Sequence, residues 1–378
     1  MMEPRVLVLL SADYELFLGR NFLSAAEVLF APTDELFAAC RAAGVPLTLF
    51  ADVGSVWAHR RFALDDYADR FEAQLRDAVG RGHDVQLHLH PHWLGARFAT
   101  GEWRIATERM TLAECGFGAG SDEAPAIIRR GVDYLEDLLR SVDPGYRCLA
   151  FRGAGLALQP REGELIAALL AAGIAVDSSV VKGVAVTTDA IAMDYTRTPE
   201  AANWFMAPDS GISQAAPAGL FEVPIATFRL GLPRRLGFLL RRLRAVGQMR
   251  GSGLSRARRQ TRWANLRTLV RDNLRYLGGD PWFVLSADTK GLTADLLSGG
   301  FDDYVHRHRS SETIVVSLIC HPKLMFRRQL DLLRSFVDRV RGRYGEEVGF
   351  ATFSAMAGEV LAANAARAAT PLSEGVKR

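Results

Sequence analysis

The sequence is short of cysteine, of long apolar runs and of any large surplus of charge. Its four cysteines, Cys40, Cys115, Cys148 and Cys320, include no CxxC pair, which leaves a zinc ribbon or a thioredoxin-type redox site without support. Such sparse thiols suit a reducing compartment. No stretch approaches the roughly 18 apolar residues of a membrane span. The apolar run at 6–10 is too short for a signal peptide, and Asp13 and Glu15 follow it at once. Lys plus Arg number 46 and Asp plus Glu 43, a near balance that argues against a protein coating nucleic acid. The expected location is cytoplasmic.

What remains is a chain of 378 residues, about half of them apolar, enough for a large core. Short apolar runs at 6–10, 47–51, 85–88, 149–152, 174–177, 221–225 and 314–320 read as strands. Amphipathic segments at 33–43, 63–81, 124–140, 160–172 and 323–343 read as helices. Strands alternating with helices imply parallel strands joined by crossovers, hence an α/β sheet or barrel. One domain over 1–361 is expected, with an insertion at about 231–276 and a frayed tail at 362–378.

Three of the eight histidines, His88, His90 and His92, fall within five residues at the end of an apolar strand. That end is where α/β barrels place their sites. Side chains two apart on a strand share a face, so the three imidazoles can converge on a metal. Asp13 and Glu15 stand in the same relation after the first strand. One carboxylate can bind a metal while the other takes a proton from water, the two roles of metal-assisted hydrolysis. His306 and His308 flank Arg307 in a charged stretch and are expected at the surface.

These residues resemble the polysaccharide deacetylases, or NodB-homology proteins. Asp13-Tyr14-Glu15 is similar to an acid-X-acid form of their first motif. His83-Asp84-Val85-Gln86-Leu87-His88 through His92 resembles the second, Phe151-Arg152-Gly153 the third, and Cys320-His321-Pro322-Lys323 the last. Ile174 through Ser179 looks like the segment between. The usual Asp-Asp-Gly is absent, and the tryptophan-bearing motif has only Asn203-Trp204 as a loose candidate. The resemblance is to a divergent cytoplasmic branch, and it implies a deformed (β/α)7 barrel. It implies Glu15, His88 and His92 as ligands of a divalent metal, zinc first, with cobalt, nickel or manganese also suited. It implies Asp13 as general base, His321 as general acid, and Arg152 as the partner that aims Asp13. Asp177 is expected to support His321 or Arg152, or else only to make a turn. His90, Trp93 and Tyr14 are expected around the pocket or behind the ligands. The implied activity is removal of an N-acyl group, acetyl first, from an amino sugar or glycan.

Residues 231–276 carry many arginines, with Asp272 the sole acid. Residues 233–249 read as an amphipathic helix with a stripe of Leu236, Leu239, Leu240, Leu243 and Val246. Such a helix can lie on an anionic membrane at its inner face, grip the pyrophosphate of a lipid- or nucleotide-linked sugar, or simply pack on the barrel. A non-catalytic glycan- or membrane-binding protein on the same fold is the alternative of another class.

Overall fold

The computed structural model describes residues 5–16, 24–106, 108–188, 191–248 and 281–369. Strands β1 (Val6–Tyr14), β2 (Thr48–Asp52), β3 (Asp84–Leu89), β4 (Ala150–Gly153), β5 (Val176–Asp177) and β6 (Leu220–Glu222) run parallel, each paired with the next. β7 (Trp282–Val284) forms a two-stranded hairpin with Thr227–Arg229. β8 (Ile314–Cys320) returns parallel to β1 over its whole length. The sheet closes where Ile225, just past β6, pairs with Ser317, and Ser286, just past β7, pairs with Ile319. The result is a deformed parallel α/β barrel: the alternation of runs implied an α/β sheet or barrel, and the resemblance implied the deformed barrel.

Apolar alternation decides which side of each strand faces the helices. Along β1, Val8, Leu10, Ala12 and Tyr14 pack outward into the main core. Leu7 and Leu9 point inward, where Phe50, Val176, Val315 and Phe353 meet them. Outside lie α1 (Ala31–Ala43), α2 (Val53–Arg61), α3 (Asp65–Gly80), α4 (Ala124–Leu139), α5 (Glu162–Ala171), α6 (Leu232–Gln248), α7 (Ala294–Arg307) and α8 (Arg327–Tyr344). The last helix, α9 (Phe353–Ala369), sends Phe353, Met356, Ala357 and Val360 into the inner cluster and plugs the end of the barrel at the strand N-termini. The interior is thus apolar at one end and polar at the other.

Several boundaries differ from the sequence reading. α8 starts at Arg327, not 323, because Pro322–Leu324 forms a 3-10 turn. α7 escaped notice because Gly299 and Gly300 interrupt its apolar pattern. Gly300 is required there by packing: a Cβ would stand 2.6 Å from the Phe228 ring. The Ala-rich C-terminal segment is helical to Ala369, so the frayed tail expected from 362 does not begin there. His308, expected at the surface, is buried at the end of α7. The helix expected at 233–249 is present as α6, but its expected stripe is only partly the packed face. Phe238 and Leu239 are buried, whereas Leu236 and Leu240 are 48 % and 57 % exposed. The rest of the arginine-rich segment, 249–276, lies outside the described residues. Among the described residues, no helix is long and apolar enough to cross a membrane.

Candidate active site

The inward parity of β1 continues past Leu9 to Ser11, Asp13 and Glu15. On β3 and β4 the same parity selects Gln86, His88 and Arg152, all buried. His90 follows two residues after His88 and keeps its face. His321 extends β8 by one residue. Four segments therefore deliver their polar side chains to one end of the barrel, the end at which parallel strands leave their C-termini.

Glu15, His88 and His90 form a group whose ligand atoms lie within 4.8 Å of one another. Glu15 Oε2 stands 3.3 Å from His88 Nε2 and 2.5 Å from His90 Nε2. His88 Nδ1 is 2.7 Å from the Arg152 carbonyl, the arrangement that fixes a ligating imidazole in one tautomer. His90 is 4 % exposed, yet neither ring nitrogen makes a hydrogen bond; its close approach to Glu15 is not one. Buried imidazoles without partners are costly, and a shared cation would satisfy them. Two nitrogens and a carboxylate are a donor set that suits zinc and neighbouring transition metals.

Burial alone would raise the Glu15 carboxyl, but the Lys323 ammonium, His90 and the His88 hydrogen bond hold it well below the usual carboxylate range. Burial opposes a charged His88, yet the hydrogen bond to Glu15 and the charges of Asp13, Glu15 and Asp52 lift it to about 9. The acids thus concentrate positive charge at this point.

His92 is not in the group, contrary to the expectation that it is a ligand. Pro91 ends the extended run and His92 opens a short helix, His92–Gly95, so the alternation that aligns His88 and His90 stops before it. Its ring lies 5.0 Å from that of His90, buried and without a hydrogen bond. Burial and the neighbouring His90 push it down to about 3. His90, expected behind the ligands, takes the place beside Glu15. Tyr14 also departs from expectation. Its parity is opposite to that of Asp13, so it faces the helices, donating to Gln74 at 2.7 Å and packing 4.8 Å from Phe71. Trp93 is 3 % exposed and donates its indole N–H to Asp52 at 2.8 Å. It anchors the histidine loop from behind.

Beside the histidines, Arg152 donates to Asp13 Oδ1 at 2.6 Å and to Ser11 Oγ at 3.0 Å. Its other nitrogens bond the Ser178 carbonyl and hydroxyl at 2.9 and 3.0 Å. Its guanidinium lies 4.1 Å over Phe50, so the fully buried cation is saturated. The second oxygen of Asp13 stands 3.7 Å from His321 Nε2. His321 Nδ1 is 2.7 Å from Asp288. Burial opposes a charged His321, but Asp288, then Asp13 and Glu15, raise its pKa above the ordinary value.

Asp177 touches neither His321 nor the Arg152 side chain. It accepts from the Ser179 N–H and hydroxyl, both at 2.8 Å, an Asx turn. Through that turn it holds Ser178 and Ser179, which in turn bond Arg152 and the Gly153 N–H. Three residues of the site went unnoticed in the sequence. Asp52 bonds the His90 N–H and Trp93. Lys323 donates to Glu15 Oε1 at 2.7 Å. Asp288 holds His321. Lys323 lies in the Cys320–Lys323 motif, two residues after His321. Asp288 lay in a loop with no apolar pattern to mark it.

The comparisons are distant. No family model matches the chain, and no curated protein matches it. Among solved structures, a protein assigned as a polysaccharide deacetylase from Mycobacterium smegmatis is similar at a TM-score of 0.44 and 15% identity, over 96% of this chain and 92% of that one. The allantoinase PuuE is similar at 0.45 and 12%, over 95% and 91%. A 4-alpha-glucanotransferase from Thermococcus litoralis is similar at 0.44 and 12%, over 96% of this chain but 40% of its own. At these values the likenesses settle no activity.

Proposed function

We propose that the chain is a metal-dependent hydrolase that cleaves an N-acyl group, acetyl first, from an amino sugar or glycan, in the manner of the polysaccharide deacetylases. One observation carries the reading: a buried nitrogen-nitrogen-carboxylate group stands beside two separately braced proton-transfer pairs, Asp13–Arg152 and His321–Asp288. Glu15, His88 and His90 are the residues that would hold a divalent cation. When bound, the cation supplies Lewis acidity and a lowered pKa for water.

Asp13 accepts the proton of the attacking water. Arg152 fixes one of its oxygens and leaves the other turned toward His321. His321, kept charged by Asp288, gives its proton to the departing nitrogen. The C–N bond breaks, a C–O bond forms, and the products are a carboxylic acid and an amine.

The test is the metal content of the purified protein together with acetate release from a panel of N-acetylated sugars. Asp13→Asn is expected to abolish turnover with metal still bound. His88→Ala or His90→Ala is expected to lose the metal. A wild-type protein that takes up no divalent cation, or an Asp13→Asn variant with unchanged turnover, defeats the reading.

A further inference from the structure

Two cavities adjoin on the side of Asp288. The nearer, of about 510 Å³, is lined by Asp288, Lys290, Leu324, Arg242 and Trp282. The farther, of about 670 Å³, is lined by Lys182, Arg229, Arg307, His308, Glu200 and Asp303, among others. Both touch Gly183 and Trp282. The Gly183 backbone has φ +76, and a Cβ there would stand 2.1 Å from the Trp282 indole nitrogen. Glycine is thus required both by its conformation and by the closeness of the ring. Trp282 in turn carries Arg229 at 4.2 Å and Arg307 at 5.1 Å from its ring.

The farther cavity gathers three cations, Lys182, Arg229 and Arg307, against two carboxylates, Glu200 and Asp303. Arg307 is paired with Asp303 at 3.0 Å and also bonds the Thr227 carbonyl. Lys182 is 7 % exposed and bonds the Ala201 carbonyl at 2.6 Å. Burial, and then the charge of Arg307, push Lys182 down to about 8. Burial, Lys182 and Arg307 push His308 down to about 4. The two carboxylates leave a surplus of positive charge beside the buried lysine, and an anion placed there is favoured.

We propose that this cavity binds an anionic group, a phosphate or a carboxylate, on the portion of the substrate that extends past Trp282 away from the reacting amide. Trp282 offers that portion an apolar face, and Lys182, Arg229 and Arg307 offer it charge. The word substrate rests on the amide-hydrolase reading; the anion site does not.

Calorimetric titration of the full-length protein with inorganic phosphate, and separately with glucuronate, tests the site. Binding of at least one is expected, weakened about tenfold or more in Arg229→Gln and in Lys182→Gln. Arg229 is exposed on its strand, so Arg229→Gln keeps the fold even if the buried lysine variant does not. Glu15→Gln is expected to leave anion binding in place. Binding that is lost in Glu15→Gln but unchanged in Arg229→Gln overturns the proposal, as does no binding of either anion. The stronger of the two anions identifies the source. Cleavage is then compared for N-acetylglucosamine with and without a 1-phosphate. If the neutral sugar is cleaved with no advantage to the charged one in kcat/KM, the inference fails alone. If the anion binds as expected but neither sugar is cleaved, the cavity stands and the amide reading loses support.

Discussion

Removing the Arg152 guanidinium gives the most direct measure of how the site is held. Arg152→Met deletes four hydrogen bonds, to Asp13, Ser11, and the carbonyl and hydroxyl of Ser178. It also leaves Asp13, 3 % exposed, without its cation. Breaking a buried ion pair from one side costs about 3–5 kcal/mol. Asp13→Asn keeps an acceptor for Arg152 and is expected to cost less, about 1–3 kcal/mol. The double variant leaves no stranded charge, so it should cost less than the sum. The shortfall is expected at about 2–3 kcal/mol, since a unit-charge pair about 4 Å apart attracts by about 4 kcal/mol at an effective dielectric of 20 and contacting residues couple by about 0.5–3 kcal/mol. Urea unfolding of all four proteins at neutral pH, followed by circular dichroism with equal m-values, measures it. Additivity to within about 0.5 kcal/mol would refute the claim that the two side chains form one electrostatic unit.

Three further outcomes follow from other buried groups. His59, 6 % exposed and stacked 3.8 Å from Tyr67, is pushed by burial from 6.5 to about 4. A lowered histidine pKa means that stability is lost as pH falls through this window, by about 3 kcal/mol at 1.36 kcal/mol for each unit of pKa. His59→Phe should therefore lose less stability than the parent between pH 6.5 and 4, and parallel pH curves would contradict it. Burial and the adjacent Asp177 raise the Glu222 carboxyl well above the usual range. Its contribution is full at low pH and declines as pH rises, so Glu222→Gln is expected to gain stability at pH 7–8 relative to pH 4.5, read from melting temperatures at both. Asp52→Ala removes the partner of the His90 N–H and of Trp93 and should weaken metal retention about 10–100-fold, measured by competition with a chelator.

The fold was legible because its signals are local. Seven of the eight barrel strands are apolar runs of the right length and α1, α3, α4, α5 and α8 follow helical patterns, whereas the short β7 and the polar α2 carry no such signal. Asp13, Glu15, His88 and Arg152 were readable because period-two alternation fixes their side of a strand. The same rule separates His90, still on the strand's face, from His92, already turned by Pro91. It also places Tyr14 among the helices, opposite to its two acidic neighbours. What was hidden depends on distant chain. Asp288 matters only because β8 carries His321 past it, and Lys323 only because its turn brings it back to Glu15. Of the expected stripe, tertiary contacts bury Leu239 together with Phe238 and leave Leu236 and Leu240 exposed.

β1 and β8 are partners in the sheet although they come from opposite ends of the chain; Ser11 bonds the carbonyl of Leu318, 307 positions away. During synthesis the N-terminal strands emerge first. Glu15, His88 and His90 can meet once β1 to β3 have left the ribosome, while His321 and its turn arrive only near completion. A nascent chain can thus assemble the Glu15–His88–His90 corner long before His321 reaches Asp13.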